Sequence, residues 1–440
     1  MATRYSTTRR VLGYYMVLIA AHWLSCDFSI AAPGDLLFKI PAPDSSPDLQ
    51  KFGFSMAVAD GDILVGAPWL SIDDQPFVGQ AYLFDGDDGS LIQRIPFPGE
   101  PNERPQFGDS VAANDGALYI IAPSEDRVDV FGNGTIYAFD RRGRELFSVD
   151  HPHDVSFFNL AAVPGGVITS DPSKSVDGQR SAGIAYVVDG TTGDITSIPN
   201  PEPESGDSFG AGRYSLSAFD DQIVVGTYLE EPNGSVFVID KKTGSITARL
   251  DNPEPTFGDI LEIPDLFGDT VATVDSKVLV GAKLQEVGRS LDAGSIYVFD
   301  GYSGDLLLTI DNPEPDTKDE FGTAITAFGR DILVAAPRDE VNGVEAAGAV
   351  YLFDGETGEM KLKIPNPEPA AFSMFGESIG AWGDKVYVGA PQAMVGGIPA
   401  GAVYAFEGVP EPRSGHLFAI AIFVLSSFHR RNNNEDSFAI

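Results

Sequence analysis

Short apolar runs separated by polar turns recur along the chain in a fixed order. Each unit opens on a Phe-Gly pair and closes on Gly-Ala-Pro or a near copy, first at Phe52-Gly53 and Gly66-Ala67-Pro68. The phrase returns at Phe107-Gly108 to Ala122-Pro123, Phe267-Gly268 to Gly281-Ala282-Lys283, Phe321-Gly322 to Ala336-Pro337, and Phe375-Gly376 to Ala390-Pro391. In all five copies the step from the Phe to the last residue is 16 positions. Two copies are poorer. Phe209-Gly210 lies three residues farther from its closing Gly226-Thr227-Tyr228, and the copy near Phe157-Phe158 has lost both the Gly and the closing motif. Within a unit the pattern predicts four strands. The first starts at the Phe-Gly and alternates, as in Ser378-Ile379-Gly380-Ala381. A two-residue turn follows (Asp60-Gly61, Asp115-Gly116, Gly165-Gly166, Gly383-Asp384), of the composition that tight hairpins need. The second is a continuous apolar run such as Ile332-Leu333-Val334-Ala335, which predicts burial on both faces. After a variable loop comes the third, Ala81-Tyr82-Leu83-Phe84-Asp85 and its kin down to Tyr404–Glu407. A turn such as Asp354-Gly355-Glu356-Thr357-Gly358 leads to the fourth, of which Leu306–Ile310 is typical.

Seven units of four antiparallel strands predict an all-β fold, a seven-bladed β-propeller spanning residues 33–408. One such sheet cannot bury both faces, whereas a ring of seven can. The last unit stops after its third strand, and Asp35–Pro41, ahead of the first Phe-Gly, matches a fourth strand. The N-terminal strand is therefore expected to complete the last blade, pairing Leu36–Ile40 with Ala402–Phe406 and removing two open edges.

Composition suits this picture and narrows the partners. Apolar residues make up 43% of the 440, and the 48 Gly and 31 Pro fit many strands with tight turns. The net charge of -35 argues against nucleic acid and against direct binding to anionic lipid heads. The single cysteine, Cys26, lies outside the repeats, so no disulfide is expected in the folded part.

The two ends read as targeting segments. Residues 1–32 have the form of an export signal: Arg4, Arg9 and Arg10, then the apolar Val11–Leu24, then Ala31-Ala32. At the other end, residues 409–440 contain Pro410-Glu411-Pro412, the apolar stretch Leu417–Phe428 and the basic His429-Arg430-Arg431. This is similar to the PEP-CTERM sorting signal. The similarity implies export, transient membrane association through this segment, recognition by an exosortase-type protease, and a final place at the cell surface, outer envelope or extracellular matrix.

The Phe-Gly and Gly-Ala-Pro pairs, complete in Phe52-Gly53…Gly66-Ala67-Pro68 and Phe375-Gly376…Gly389-Ala390-Pro391, resemble the FG-GAP repeat of integrin α-chain heads and related bacterial surface proteins. The resemblance covers about residues 34–408. It implies a seven-bladed propeller used for adhesion or ligand binding. Many members carry an acidic calcium loop between the first two strands; here that connection is a two-residue turn in most units, so calcium is not carried over to those positions.

Candidate chemistry is sparse. Acids follow three of the Phe-Gly pairs, Asp109, Asp269 and Glu377, where the innermost strands would begin. Like charges gathered at one channel mouth would favour a divalent cation such as calcium, the one cofactor the sequence offers. Asp85, Asp87 and Asp88 are a second candidate for a hard cation, against a plain turn held by Asp85. The Asn-Pro-Glu-Pro links at residues 200, 252, 312 and 366 read as stiff inter-blade connectors or as a ring of carboxylates. His151-x-His153-Asp154 has metal-ligand residue types in the most degenerate unit. No nucleophile, zinc or phosphate-loop motif is present, so an enzyme is not expected. The reading is an exported protein whose face loops bind an extracellular protein or polysaccharide. Two alternatives are a lectin-like carbohydrate-binding matrix module and a carboxylate-dependent polysaccharide hydrolase or lyase.

Overall fold

The computed structural model describes residues 31–43, 50–99, 104–114, 116–123, 134–152, 159–230, 233–255 and 265–409. Both end segments lie outside these, apart from Ala31, Ala32 and Val409. Among the described residues the strands form seven four-stranded antiparallel sheets and one small hairpin, Met394–Val395 with Ile398–Pro399. Blades 1 to 6 span residues 56–96, 111–150, 160–199, 216–251, 270–311 and 324–365, each in sequential strand order. Blade 7 takes its first three strands from residues 378–407 and its fourth from Leu36–Pro41. The expected closure is present: Phe38 pairs with Ala405, Lys39 with Tyr404 and Ile40 with Val403. First strands neighbour one another all the way round, blade 7 meeting blade 1, so the propeller is a closed ring with the first strands innermost.

The core is divided among the seven junctions between blades, one apolar cluster at each. Strand alternation explains this. In the third strand of blade 1, Tyr82 and Phe84 face the junction with blade 7, while Ala81 and Leu83 face blade 2. Second strands such as Asp62–Ala67 and Asp331–Ala336 are buried along their whole length, as their unbroken apolar runs predict. In blades 1, 6 and 7 the opening Phe stands edge-on to the third-strand tyrosine of its own blade: Phe52 to Tyr82 at 5.6 Å, Phe321 to Tyr351 at 5.7 Å and Phe375 to Tyr404 at 5.6 Å between ring centroids.

The Phe-Gly pair is not the start of the first strand, which begins only at Met56, Val111, Thr270, Ala324 or Ser378. It is the crossing point between blades. The Gly has positive φ (83° at Gly53, 95° at Gly108), which turns the chain, and its carbonyl presses on the closing glycine of the preceding blade. A Cβ on Gly66 would lie 2.0 Å from the Gly108 oxygen, and one on Gly389 would lie 2.3 Å from the Gly53 oxygen. That contact ties the two ends of the signature together where the closing residue is glycine; before Gly376 the position is Ala335. Where Ser170 replaces the closing glycine, its hydroxyl donates to the Gly210 carbonyl at 2.8 Å. Ile121 occupies the position in blade 2, and the unit that follows has no Phe-Gly. One hairpin differs from expectation. In blade 3 the turn is Pro164-Gly165, since Val163 pairs with Gly166, which belongs to the second strand. Proline presets the negative φ at one central position and Gly165, at 80°, supplies the positive one at the next.

Candidate functional site

The strand order gives the two faces different character. First-to-second and third-to-fourth connections are short turns on one face. The other, the mouth face, carries the second-to-third loops and the inter-blade links. These loops, read from sequence as variable, share a small internal hairpin in four blades: Ile72 with Gln75, Val176 with Gln179, Val287 with Ser290, and Val341 with Val344. In three of the four, both central residues have positive φ (Asp73-Asp74, Asp177-Gly178, Asn342-Gly343), the geometry of tight hairpin turns.

The Asn-Pro-Glu-Pro links are connectors. Asn312 is buried, and its amide donates to the Ala293 carbonyl and to Asp319 Oδ2 (3.2 and 2.9 Å), while its own oxygen accepts from Glu314 N. Asn200 and Asn366 make the same bonds to Ala182 and Ala347 and to Glu202 and Glu368. The link carboxylates do not form a free anionic ring. Glu202 pairs with Arg249, Glu314 with Lys363 and Glu368 with Lys39, each cation also lying over an aromatic ring of its own blade. Burial, the largest influence, pushes Asp319 up to about 6; Asp316 N and the Asn312 amide pull it down, and Asp339 adds to the rise. A carboxyl whose pKa is higher folded than unfolded favours the folded state when protonated. Its contribution is full below the unfolded value near 4 and is lost as pH rises through about 6. Asp319→Asn should therefore flatten the fall in melting temperature between pH 4.5 and 7; an unchanged pH profile would show that Asp319 does not titrate there.

At the channel mouth the longer unit of blade 4 decides the geometry. Its three additional residues carry Arg213 and Tyr214 across the ring. Arg213 forms an ion pair with Glu377 of blade 7 and donates to the Phe54 carbonyl of blade 1; its guanidinium lies 3.5 Å from the Phe54 ring centroid. Tyr214 donates its hydroxyl to the Glu377 carbonyl at 2.9 Å, and its own carbonyl accepts from Val271 N. Burial works against the Arg213 charge, but Tyr214, Glu377 and Asp109 overcome it and hold the guanidinium firmly protonated. A cavity of about 220 Å³ extends from Arg213 and Tyr214 along the first strands of blades 3 to 6, past Ser217, Thr273 and Thr326.

Asp109, Asp269 and Glu377 do share this mouth, since Asp109 and Glu377 both act on Arg213 and Glu377 acts on Lys283. They meet cations there. Lys283, standing where other units have the closing proline, pairs with Asp269 at 2.5 Å. Burial lowers the Lys283 pKa, and Asp269, Glu320 and Glu377 more than reverse this. Arg338 pairs with Glu320 at 3.0 Å. The mouth is thus a mosaic of Lys51, Arg213, Lys283 and Arg338 among Asp109, Asp269, Glu320 and Glu377. Among the described residues no three His, Cys, Asp or Glu side chains gather as a ligand group. Asp85, Asp87 and Asp88 lie on the opposite face and build a turn. Asp85 Oδ1 accepts from Asp87 N and Asp88 Oδ1 from Ser90 N, both at 2.8 Å, and Asp87 pairs with Lys385 of blade 7 at 2.6 Å. Asp189, Asp240, Asp300 and Asp354 hold the equivalent turns in the same way. His151 is buried, with Nε2 3.6 Å from Asp171 Oδ2 and its ring edge-on to Tyr186 at 5.4 Å; His153 and Asp154 lie outside the described residues. Arg213 and Lys283 were not anticipated as site residues. Both were visible as departures from the repeat, an insertion at one and Lys for Pro at the other.

No family model matches the chain, and no curated protein matches it in sequence. Among solved structures, it is similar to the computationally designed Ika8 protein at 15% identity, covering 82% of this chain and 97% of that one, with a TM-score of 0.46. It is also similar to BamB from Moraxella catarrhalis at 12% identity, covering 82% and 84%, with a TM-score of 0.43. Among the described residues no helix is long and apolar enough to cross a membrane.

Proposed function

We propose that this is an exported propeller of the FG-GAP type that holds an extracellular protein or polysaccharide partner on its mouth face. One observation carries the reading: the asymmetry of the two faces. Long loops, braced by buried asparagines and proline links, project on one side, and only short turns on the other. Loops on a rigid scaffold are where binding is most often placed. The mouth loops and links also expose large apolar side chains, Leu229, Phe372 and Met394. The neutral charge mosaic supports binding over the hydrolase or lyase alternative, because Asp269 and Glu377 are engaged by Lys283 and Arg213 rather than poised as an acid–base pair. Export and sorting rest on residues 1–32 and 409–440 as sequence, with the PEP-CTERM-like segment directing the chain to the cell surface or matrix. The test is a glycan and matrix-protein array probed with and without calcium. Leu229→Asp/Phe372→Asp/Met394→Asp should abolish retention, and Trp382→Asp on the opposite face should leave it intact. Retention lost only with Trp382→Asp, or no retention by the wild type, would overturn the reading.

A further inference from the structure

Cations and aromatic rings alternate in a row across the mouth face at blade 1. Arg213 lies on Phe54 at 3.5 Å, Lys51 Nζ is 4.4 Å from the centroid of Phe54 and 3.6 Å from that of Trp69, Trp69 stands edge-on to Phe77 at 5.6 Å, and the Arg104 guanidinium is 5.5 Å from the Phe77 centroid. The backbone fixes the row, Trp69 N donating to the Gln50 carbonyl and Gln106 N to the Phe77 carbonyl. Arg213 is engaged by Glu377, whereas Lys51 and Arg104 make no ion pair among the described residues. In a chain of net charge -35, where most neighbouring cations meet a carboxylate, two cations held on rings, Arg104 exposed and Lys51 half-buried, are out of keeping with the rest of the face.

We propose that the Lys51–Trp69–Phe77–Arg104 row is a subsite for an acidic polysaccharide, binding two of its carboxylated sugar units. This rests on the mouth-face reading above and names the ligand class for it. Charges in such a polymer recur along the chain beside apolar ring faces, and the row offers a cation at each end of a pair of rings. Each carboxylate would accept charge-assisted hydrogen bonds from Lys51 or Arg104, and Trp69 and Phe77 would cover the sugar faces between them. Burial and the nearby Arg213 pull the Lys51 pKa down, Glu377 and Asp109 pull it back only in part, and an arriving carboxylate would add to their effect.

The test measures retention and titration of the full chain on polygalacturonate, with neutral dextran, poly-glutamate and single-stranded DNA as parallel probes. Binding to polygalacturonate alone, weakening as salt is raised, is expected. Lys51→Gln and Arg104→Gln should each weaken it about tenfold, the worth of one charge-assisted hydrogen bond. The double variant should abolish it, and Lys51→Arg should restore it. Neither side chain is part of the core, so melting temperatures should be unchanged and report intact folding. Equal binding by wild type and double variant, or no wild-type binding, overturns the proposal. So does equal retention on poly-glutamate or DNA, which would reassign the row to an acidic peptide or a nucleic acid. If polygalacturonate fails while the array partner still binds through Leu229, Phe372 and Met394, only this inference falls; if both fail, the binding reading falls with it.

Discussion

Deleting residues 33–42 should abolish the monomeric native state. The strand Leu36–Pro41 is the only described neighbour on the outer side of Ala402–Glu407, which is otherwise buried nearly throughout. Its loss uncovers a backbone edge together with Tyr404 and Phe406. It also removes Ile40 and Ala42 from the cluster they share with Phe52 and Tyr387, and Lys39 from Glu368 and the Tyr404 ring. Ile40 alone is worth about 1.5–3 kcal/mol of burial. Adding the half-buried Leu37 and Phe38 brings the loss to roughly 5 kcal/mol, the lower end of the total stability of a typical domain. The exposed edge is also a template for pairing with another chain. The expected result in size-exclusion chromatography and thermal melting is oligomer or unfolded protein. A peptide of residues 31–43 added in trans should recover monomer. A truncated monomer with unchanged melting temperature would show that the closing strand contributes nothing.

Closure was legible because a missing fourth strand at one end and a spare one at the other are both written in the periodicity. The mouth was legible only in part. Position relative to the Phe-Gly places Asp109, Asp269 and Glu377 at the start of the inner strands; they lie at the mouth, one or two residues ahead of strands that begin at Val111, Thr270 and Ser378. Their partners were not readable, because Arg213 reaches Glu377 across the ring from 164 residues away. The pairing depends on channel width and on the path of the lengthened segment, which periodicity does not encode. The Pro164-Gly165 turn shows the same limit locally. Gly-Gly satisfies a hairpin pattern at either register, and pairing of Val163 with Gly166 selects one. For the Asn-Pro-Glu-Pro links, prolines predicted stiffness, but burial of the leading Asn against the carbonyls of Ala182, Ala293 and Ala347, and the basic residues that meet Glu202, Glu314 and Glu368 from neighbouring blades, were not written in the motif.

His151 and Asp171 should behave as one unit, each costly to change alone and cheap to change together. His151 stands where the sister links have Asn252, Asn312 and Asn366, and Asp171 stands where the closing motifs have Ala67, Ala282 and Ala390. Blade 3 has thus exchanged a neutral pair for a titratable one. Both side chains are almost wholly inaccessible, at 0% and 1% exposure. Asp171 Oδ1 is held by Ser173 N and Oγ at 3.0 and 2.6 Å, and Oδ2 faces the imidazole. The Asp171 charge also raises the Tyr186 hydroxyl pKa, beyond what burial alone does. His151→Asn would leave that carboxylate in the core without its imidazole neighbour, at a cost of about 3–5 kcal/mol. Asp171→Ala would remove the carboxylate that faces the buried imidazole, at about 1–3 kcal/mol. The double substitution reinstates the pair the other blades use, and removing both members of a buried pair is often neutral or stabilising. It should lie within about 1 kcal/mol of wild type, leaving a coupling of at least about 2 kcal/mol in a double-mutant cycle. Urea denaturation of the four proteins at pH 7 measures this directly. Additive costs would mean that His151 and Asp171 are neighbours without being partners, each held by its own surroundings.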